Sequence, residues 1–532
     1  VEARVLEGLN MNLIKKMEVN ARLFADSIAI IDTSADKKIK YKELWEKIKA
    51  VAAGLLSLGI GKGDRVALLL PNGAAFIICY YAVLSVGAIA VPINIQLKEK
   101  EIQYCLADSG AMTIIGATKE LVDKLTSIQT LLTELQFIVT YGERNEAHTK
   151  FHLDDWLESK KEVSLPKLSK NQPAAIHYSS GTTGPMKGVV LTHDNTSSNA
   201  YLNGYYVFGL NDKDRVLGLS PYCHVFFFLI VLGPLYIGAT VVTMPRSSPH
   251  LALKAIEKYR ITHFAAVPTI YRYMLKCVQE QSYDLSSWRV AGSAGSSMDV
   301  ELIDKIHKTF GVDFFECYGC TETSSTVTYN RLRHLKPGSI GQVAPGYQIR
   351  IINSMGKESG VGEVGELQVK GPGIFKGYWG RLDCNDKVFT PDGWYKTGDL
   401  ATQDKDGFYY IVGREKDIII TGGYNVYPKE IEETLRSHAD IEDAIVVGAY
   451  DDSLGEIPIG YVILKPGTEI GQEEVISFCK ERMAKYKVPR SIKFVKEFPQ
   501  TTSGKICRAL FPKVKNQSEI EIKTPAPYQR AE

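Results

Sequence analysis

From Ile39 onward, short apolar runs of strand length alternate with longer runs of helical spacing, and few folds accept that order. "YKELWEKIKAVAAGLLSLG" (41–59) has helical spacing and ends at glycine, "DRVALLL" (64–70) reads as a short buried strand, and "AAFIICYYAVLSVG" (74–87) is a further apolar helix. "AIAVPIN" (88–94) and "AMTIIG" (111–116) read as strands separated by a helical pattern. Alternation of this kind is satisfied by a sheet whose faces are covered by helices. The polar stretch 141–173 is loop-like and leads into another strand, "AAIHY" (174–178). Near Gly413 the texture changes. "GFYYIVG" ends a hairpin strand, "REKD" supplies four consecutive charges, and a shorter pattern follows: a helix at "PKEIEETLRSH", strands at "DAIVVGAY", "GYVILKPG" and "SIKFV", and a helical face marked by Val475, Cys479 and Met483.

The expected fold class is therefore α/β, with a large N-terminal α/β domain (1–413), a junction at 414–417, and a small C-terminal α+β domain (418–532). A chain of 532 residues is too long for one compact core. No internal repeat is evident. A formal net charge of +2 argues against a dedicated nucleic-acid partner. Nine cysteines and no secretory pattern at the start point to reduced thiols and a cytoplasmic setting.

Three features invite over-reading. Val225 to Met244 is twenty residues without a charge, the length of a membrane span. Gly233-Pro234 should break it, and "ATVVTM" reads as a β-branched strand, so the expectation is a buried helix–turn–strand and no transmembrane segment. Cys317 and Cys320 have CxxC spacing, but no second ligand pair answers them. "DKDG" (404–407) begins like a calcium loop, lacks the later acidic positions, and reads as a hairpin turn.

The stretch "YSSGTTGPMKGVVLTH" (178–193) is the strongest chemical signal. Glycines at 181, 184 and 188 free the backbone to curl into an anion-binding nest. The hydroxyls of Ser179, Ser180, Thr182 and Thr183 add donors, and Lys187 adds a mobile positive charge. A plain Gly/Thr hairpin needs fewer polar groups. Position 186 is Met and Gly188 follows the lysine, so this is not a Walker A sequence.

This loop resembles the phosphate-binding motif of the adenylate-forming superfamily, which includes the AMP-forming acyl-CoA synthetases. Four more boxes follow in that family's order: "YGCTET" (318–323), "YKTGDL" (395–400), "GREKDIIITGGYNVYPKEIE" (413–432) and "PQTTSGK" (499–505). The resemblance implies ATP, Mg²⁺ and coenzyme A as cofactor and co-substrates. It assigns the triphosphate to Ser179, Ser180, Gly181, Thr182, Thr183, Gly184 and Lys187. Thr321 offers a hydroxyl to phosphate and Glu322 a hard oxygen to Mg²⁺. Tyr318, Gly319, Gly295 and Ser296 lie along the nucleotide, the last two in "GSAGSSM" (292–298), the segment beside adenine and acyl group. Asp399 takes the ribose hydroxyls, as acidic residues do in dinucleotide folds, and Arg414 contacts ribose or phosphate. Lys505 serves the reacting α-phosphate, Lys416 is the hinge, and Gly422-Gly423 help form the pantetheine channel. His224, in "SPYCHVFFF", is either a packed structural histidine or a neighbour of the reacting carboxylate.

The expected function is an acid–CoA ligase for a medium- to long-chain fatty acid, because "HVFFFLIVLG" and "GSAGSSM" offer no Trp to wall off a short acid and no cation for a second carboxylate. Alternatives are an aryl or 4-coumarate-type CoA ligase, a fatty-acid ligase serving a carrier protein, a luciferase-like monooxygenase and a non-enzymatic nucleotide sensor. The partners are the carboxylic acid, ATP and CoA; a homodimer is left open. From Lys480 to Lys515 eleven Lys/Arg face two acidic residues, which suits attraction of ATP and CoA phosphates.

Overall fold

The computed structural model describes residues 11–117, 132–142, 150–161, 163–179, 186–246, 248–296, 298–499 and 506–511. They divide into two compact units, one drawn from Val1–Ser179, Met186–Gln348 and Val369–Tyr395, the other from Ile349–Gln368 and Lys396–Glu532. The second unit takes in strands that precede Arg414 as well as those that follow it.

Among the described residues the first unit is built on two large sheets. One runs in the order Gly377–Tyr378, Lys187–Thr192, Pro173–Ser179, Ile89–Pro92, Arg65–Leu68, Thr113–Ala117, Phe137–Thr140, Phe151–His152. The other runs Gln342–Val343, Ser325–Tyr329, Asp313–Cys320, Val290–Ser293, His263–Ala266, Arg215–Gly218, Thr240–Thr243, Ile28–Asp32, Lys37–Lys40. Pairing is parallel in the middle of each and antiparallel at the edges that carry the hairpins. The strands are short, apolar and buried on both faces, as central parallel strands must be when helices cover them.

The helix Ala74–Ser85 is buried along its whole length, which explains why its sequence is apolar all round. Its first N–H, on Ala74, has no intrahelical acceptor and donates instead to Asp32 Oδ2 at 2.7 Å, at the end of a strand in the nine-stranded sheet. Phe76 and Tyr80 on this helix pack edge-on against Phe227, with ring centroids 5.4 and 5.1 Å away. Rings buried this fully each contribute about 1.5–3 kcal/mol.

The charge-free run 225–244 is buried apart from the half-exposed Val225, Phe226 and Ile237, and no helix among the described residues is long and apolar enough to cross a membrane. The break expected at Gly233-Pro234 is not there. A π-helical turn, Phe228–Leu232, runs into the helix Gly233–Ile237, with Pro234 in its first turn. The missing proline N–H falls where the preceding turn is π-helical, not α-helical, so the chain passes the ring without ending the helix. The helix ends at Gly238, and Thr240–Thr243 then enters the sheet. The CxxC pair lies on the strand Asp313–Cys320 as two free thiols; an odd spacing on a strand sends them to opposite faces.

In the second unit Gln348–Ile352, Gly365–Lys370, Tyr395–Gln403 and Tyr409–Arg414 form a four-stranded sheet. Its last hairpin turns at Asp404–Gly407, where Asp404 Oδ1 accepts from the N–H groups of Asp406 (2.9 Å) and Phe408 (3.0 Å); this is the expected turn, with no calcium loop. A single 3₁₀ turn, Glu415–Asp417, joins it to a second sheet made of Tyr424–Val426, Ile419–Thr421, Gly455–Leu464, Ile441–Asp451 and Ser491–Phe494. The helices Pro428–Arg436 and Gln472–Lys480 cover one face of that sheet, burying Ile431, Leu435, Val475 and Cys479.

Candidate active site

The strands Arg215–Gly218, Val290–Ser293 and Asp313–Cys320 run parallel within the nine-stranded sheet, so their C-terminal ends share one edge. His224, Gly295 with Ser296, and Tyr318 through Glu322 all follow or finish these ends. Ser179 finishes Pro173–Ser179 in the eight-stranded sheet. Ligands of open α/β sheets bind at such carboxyl ends.

Ser180, Gly181, Thr182, Thr183 and Gly184 lie outside the described residues, but both stems of their segment are fixed. The Tyr178 hydroxyl donates to Asp108 Oδ2 at 2.8 Å, and the Met186 carbonyl accepts from the Tyr104 hydroxyl at 2.8 Å. Arg381 ties the two stems together, reaching Asp108 at 2.7 Å and the Tyr104 oxygen at 3.1 Å. Gly188 is not part of a nest. It pairs with Tyr178 in the sheet, where a Cβ would press on Ile176 at 2.8 Å, so packing and not a curled backbone requires glycine there. Lys187 opens the same strand, and its ammonium stands 5.0 Å from the Tyr378 ring centroid.

Thr321 and Glu322 occupy a 3₁₀ turn, Thr321–Thr323, at the tip of a hairpin. Gly319 lets that hairpin close, since a Cβ there would land on the Ser325 carbonyl oxygen. Ser324 (φ 58°) and Ser325 (φ 102°) are left-handed, a conformation that costs non-glycine residues on the order of 1–3 kcal/mol each. The strain is held by buried partners. Ser324 Oγ donates to the Gly373 carbonyl at 2.7 Å. Asn199 Nδ2 reaches the Thr323 (3.3 Å) and Thr326 (3.1 Å) carbonyls, while its Oδ1 accepts from Thr326 N–H at 3.3 Å.

Asn199 sits on His193–Tyr201, a helix almost entirely buried although it reads "HDNTSSNAY". Thr192 and Asn195 close its N-terminus reciprocally as a capping box, and Asn195 Nδ2 also bonds the carbonyls of Pro372 (2.7 Å) and Ile374 (3.0 Å). Asn195, Asn199 and Tyr378 were missed by sequence reasoning. The available signal was a dense run of Asn, Ser and Thr directly after a strand, too polar for an ordinary covering helix.

Tyr378 donates to Glu322 Oε1 at 2.9 Å. Burial, and then the Glu322 carboxylate, push its hydroxyl pKa far above the usual phenol range, so it remains a donor. Burial and Glu322 act the same way on Tyr395. Among the described residues no group of three or more His, Cys, Asp or Glu side chains could cage an ion. A single half-buried carboxylate fits Mg²⁺ held mainly by phosphate oxygens and water, which is how that ion is commonly bound.

His224 is half-buried in a turn held at several points. Asn72 Nδ2 donates to the carbonyls of Leu219 (3.2 Å) and Ser220 (3.0 Å), and its Oδ1 accepts from Tyr222 N–H at 3.0 Å. His177 Nδ1 donates to the Cys223 carbonyl at 3.1 Å. Burial lowers the His177 pKa to about 4, so the imidazole stays neutral.

In the second unit Asp399 and Arg414 are cross-strand partners, and Arg414 Nε lies 2.9 Å from the buried Asp399 carboxylate. The two residues expected at the ribose are thus adjacent. Lys416 lies in the Glu415–Asp417 turn; burial and the neighbouring Arg414 charge lower its pKa. Gly422 (φ 55°) and Gly423 (φ 85°) form the two-residue turn between Ile419–Thr421 and Tyr424–Val426, and two positive φ values are what a type I′ hairpin demands. Lys487 is engaged with Glu430 at 2.6 Å, whereas Lys485 and Arg490 are exposed. Lys505 lies outside the described residues. The chain on either side of 500–505 is joined by the Cys507 N–H to Pro499 carbonyl bond at 2.8 Å, and Arg508 anchors it through Glu432 at 2.6 Å.

The family model for the AMP-binding enzymes matches residues 17–379, and that for their C-terminal domain matches residues 430–505. The chain is 34% identical over 527 residues to a long-chain-fatty-acid–CoA ligase of Bacillus subtilis, covering 94% of each protein. Among solved structures, the anthranilate CoA ligase AuaEII in complex with anthranoyl-AMP superposes with a TM-score of 0.85 at 30% identity, covering 94% of this chain and 96% of that one. The o-succinylbenzoate–CoA synthetase of Bacillus subtilis in complex with ATP and magnesium superposes with a TM-score of 0.81 at 29% identity, covering 93% of this chain and 98% of that one. With both family models matched in order and a CoA ligase 34% identical along 94% of each protein, the chain belongs to the AMP-binding enzyme family, as an AMP-forming acid–CoA ligase.

Proposed function

We propose that this ligase activates a medium- to long-chain fatty acid: carboxylate and ATP give acyl-AMP and pyrophosphate, and acyl-AMP and CoA give acyl-CoA and AMP. The observation that carries the acid assignment is the wholly apolar segment Phe227–Leu232, buried beside the turn that bears His224. Identity to a long-chain ligase along 94% of the chain supports it. A second reading, an aryl acid, is favoured by the likeness to the anthranilate ligase.

In the first step the acid's carboxylate oxygen attacks the α-phosphorus and pyrophosphate leaves. The work of the protein is positioning and neutralisation of charge that spreads over phosphate oxygens. Ser179 to Gly184 supply N–H and hydroxyl donors to the β- and γ-phosphates, and Lys187 supplies the cation. Thr321 donates to the α-phosphate, and Tyr318, Gly319, Gly295 and Ser296 line the nucleotide. Mg²⁺, when bound at Glu322, neutralises phosphate charge. Asp399 accepts from the ribose hydroxyls while Arg414 keeps its carboxylate in place, and Lys505 meets the α-phosphate. The family's two-state cycle supports a rotation at Lys416 that withdraws Lys505 and brings the Gly422-Gly423 turn to the pantetheine channel, so that 414–417 acts as the junction between working domains 1–413 and 418–532. The CoA thiolate then attacks the acyl carbonyl and AMP departs. The exposed Lys485 and Arg490 are cations suited to meet the CoA phosphates. ATP and CoA are cytoplasmic metabolites, which supports that compartment.

A pyrophosphate-release panel from acetate to palmitate, with coumarate and anthranilate included, tests the assignment. Decanoate to palmitate should exceed acetate at least tenfold in kcat/KM. A preference for an aromatic acid would replace the fatty-acid reading, and no release with any acid would end the ligase reading of this site.

A further inference from the structure

Glu322 and Lys187 belong to different sheets, and Tyr378 touches both. Its hydroxyl donates to Glu322 Oε1 at 2.9 Å, and the Lys187 ammonium lies 5.0 Å from its ring centroid. The backbone around it is bonded in both directions. Lys376 and Trp379 donate to the carbonyls of Val190 (2.9 Å) and Gly188 (2.8 Å) in the strand that begins with Lys187, and Phe375 N–H donates to the Glu322 carbonyl at 2.8 Å. Asn385 Oδ1 accepts from Tyr378 N–H at 2.7 Å. The neighbouring ring, Phe375, packs against Tyr378 with centroids 5.0 Å apart and needs no hydroxyl to do so. Packing alone thus leaves the Tyr378 hydroxyl unexplained.

We propose that Tyr378 is a positioning residue for adenylation: its hydroxyl occupies one oxygen of Glu322, leaving Oε2 to the metal, and its ring face fixes the Lys187 ammonium at the triphosphate. The proposal rests on the roles given above to Glu322 and Lys187. Carboxylates that bind metals are commonly oriented by such a hydrogen bond, and losing it lowers metal affinity roughly 10–100-fold. A cation over an aromatic face is a weaker contact, about two- to fivefold at a half-exposed site.

The test is Mn²⁺ binding, followed by electron paramagnetic resonance, to the full-length enzyme saturated with an α,β-methylene ATP analogue. Tyr378→Phe should weaken Mn²⁺ at least tenfold while barely moving the KM for ATP at saturating metal. Tyr378→Leu, which also removes the ring, should raise that KM about two- to fivefold further. Thioester formation from pre-made acyl-adenylate, which uses no triphosphate, should lose far less than adenylation. Glu322→Gln is the reference. If it leaves Mn²⁺ affinity unchanged, the metal-ligand reading of Glu322 fails. If it weakens Mn²⁺ but Tyr378→Phe does not, the positioning proposal fails alone. Equal losses in both half-reactions for Tyr378→Phe would also overturn it, by making the residue a structural one.

Discussion

Asn199→Leu is the substitution that most directly asks whether a buried polar helix shapes this site. Leucine has a similar outline but leaves behind the Thr326 N–H, the Thr323 and Thr326 carbonyls, and the Asn203 amide that donates to Asn199 Oδ1 at 2.7 Å. A buried group stripped of its partner costs about 1–3 kcal/mol. The three backbone contacts are long, 3.1–3.3 Å, which places each near the lower figure and their sum at about 3 kcal/mol, before the loss of the shorter Asn203 and Tyr347 bonds. That is comparable with the strain in the left-handed Ser324-Ser325 pair, so the turn should relax once Asn199 no longer holds it. Glu322 lies two residues upstream and should move with it; a displacement near 1 Å lowers a positioned step about a hundredfold. Pyrophosphate exchange on the folded variant reads the rate, and thermal unfolding reads the stability. A two-unit protein need not unfold in one step, so the shift belongs to the transition of the larger unit. A variant destabilised as expected but within threefold of the parent in exchange rate would refute the claim that Asn199 sets the turn.

Burial holds the pKa values of both His177 and His193 at about 4. Unfolding lets these imidazoles return to about 6.5, so stability is full above that pH and falls as pH drops toward 4, by about 2 kcal/mol per residue at pH 5. The double variant His177→Gln/His193→Asn should show a flatter urea midpoint between pH 7.5 and 5; an unchanged slope would contradict the neutral assignment. Arg414→Leu should raise the KM for ATP about tenfold and Arg414→Lys about threefold, because lysine keeps the charge and loses the fixed fork; equal KM values for all three proteins would remove Arg414 from the ribose site. Lys505→Ala should slow adenylation about a hundredfold and leave thioester formation from pre-made adenylate largely intact, with each half-reaction measured separately; equal losses would give Lys505 a structural role. Lys416→Pro should support either half-reaction alone and cycle poorly between them, and normal turnover would put the hinge elsewhere.

What the sequence disclosed and what it hid follow from the range of the interactions involved. The helices at 41–57 and 74–85, the strands between them and the "DKDG" turn are decided by periodicity and by local turn chemistry, and the structure contains them. Gly233-Pro234 reads as a break, yet the chain stays helical to Ile237 because the turn before the proline is π-helical, and such a register change is not recorded in local sequence. Gly188 was misread because a glycine after a loop can serve the loop or the sheet, and only the neighbouring Ile176 side chain decides which. Asn199, Asn195 and Tyr378 act on residues 127, 177 and 56 positions away, and those meetings depend on sheet order, which no local pattern records.

The residues that were legible and those that were not divide the labour of the site. The glycines, hydroxyls and charges proposed as ligand contacts occur in short runs, such as 179–187 and 318–323, because a ligand's chemistry selects residue types locally. The groups that hold those runs face the protein. Asn195 bonds the carbonyls of 372 and 374, Asn199 those of 323 and 326, and Tyr378 bonds Glu322. The Asn199 and Tyr378 bonds cross from the eight-stranded sheet's neighbourhood to the hairpin of the nine-stranded one, so the geometry at Glu322 depends on both sheets at once. Packing at this crossing must therefore tolerate buried amides in place of apolar side chains. A fully satisfied polar network specifies one arrangement where an apolar contact would accept several. Two consecutive left-handed serines survive two residues from Glu322 for the same reason: the bonds from Ser324 to Gly373 and from Thr326 to Asn199 offset their strain.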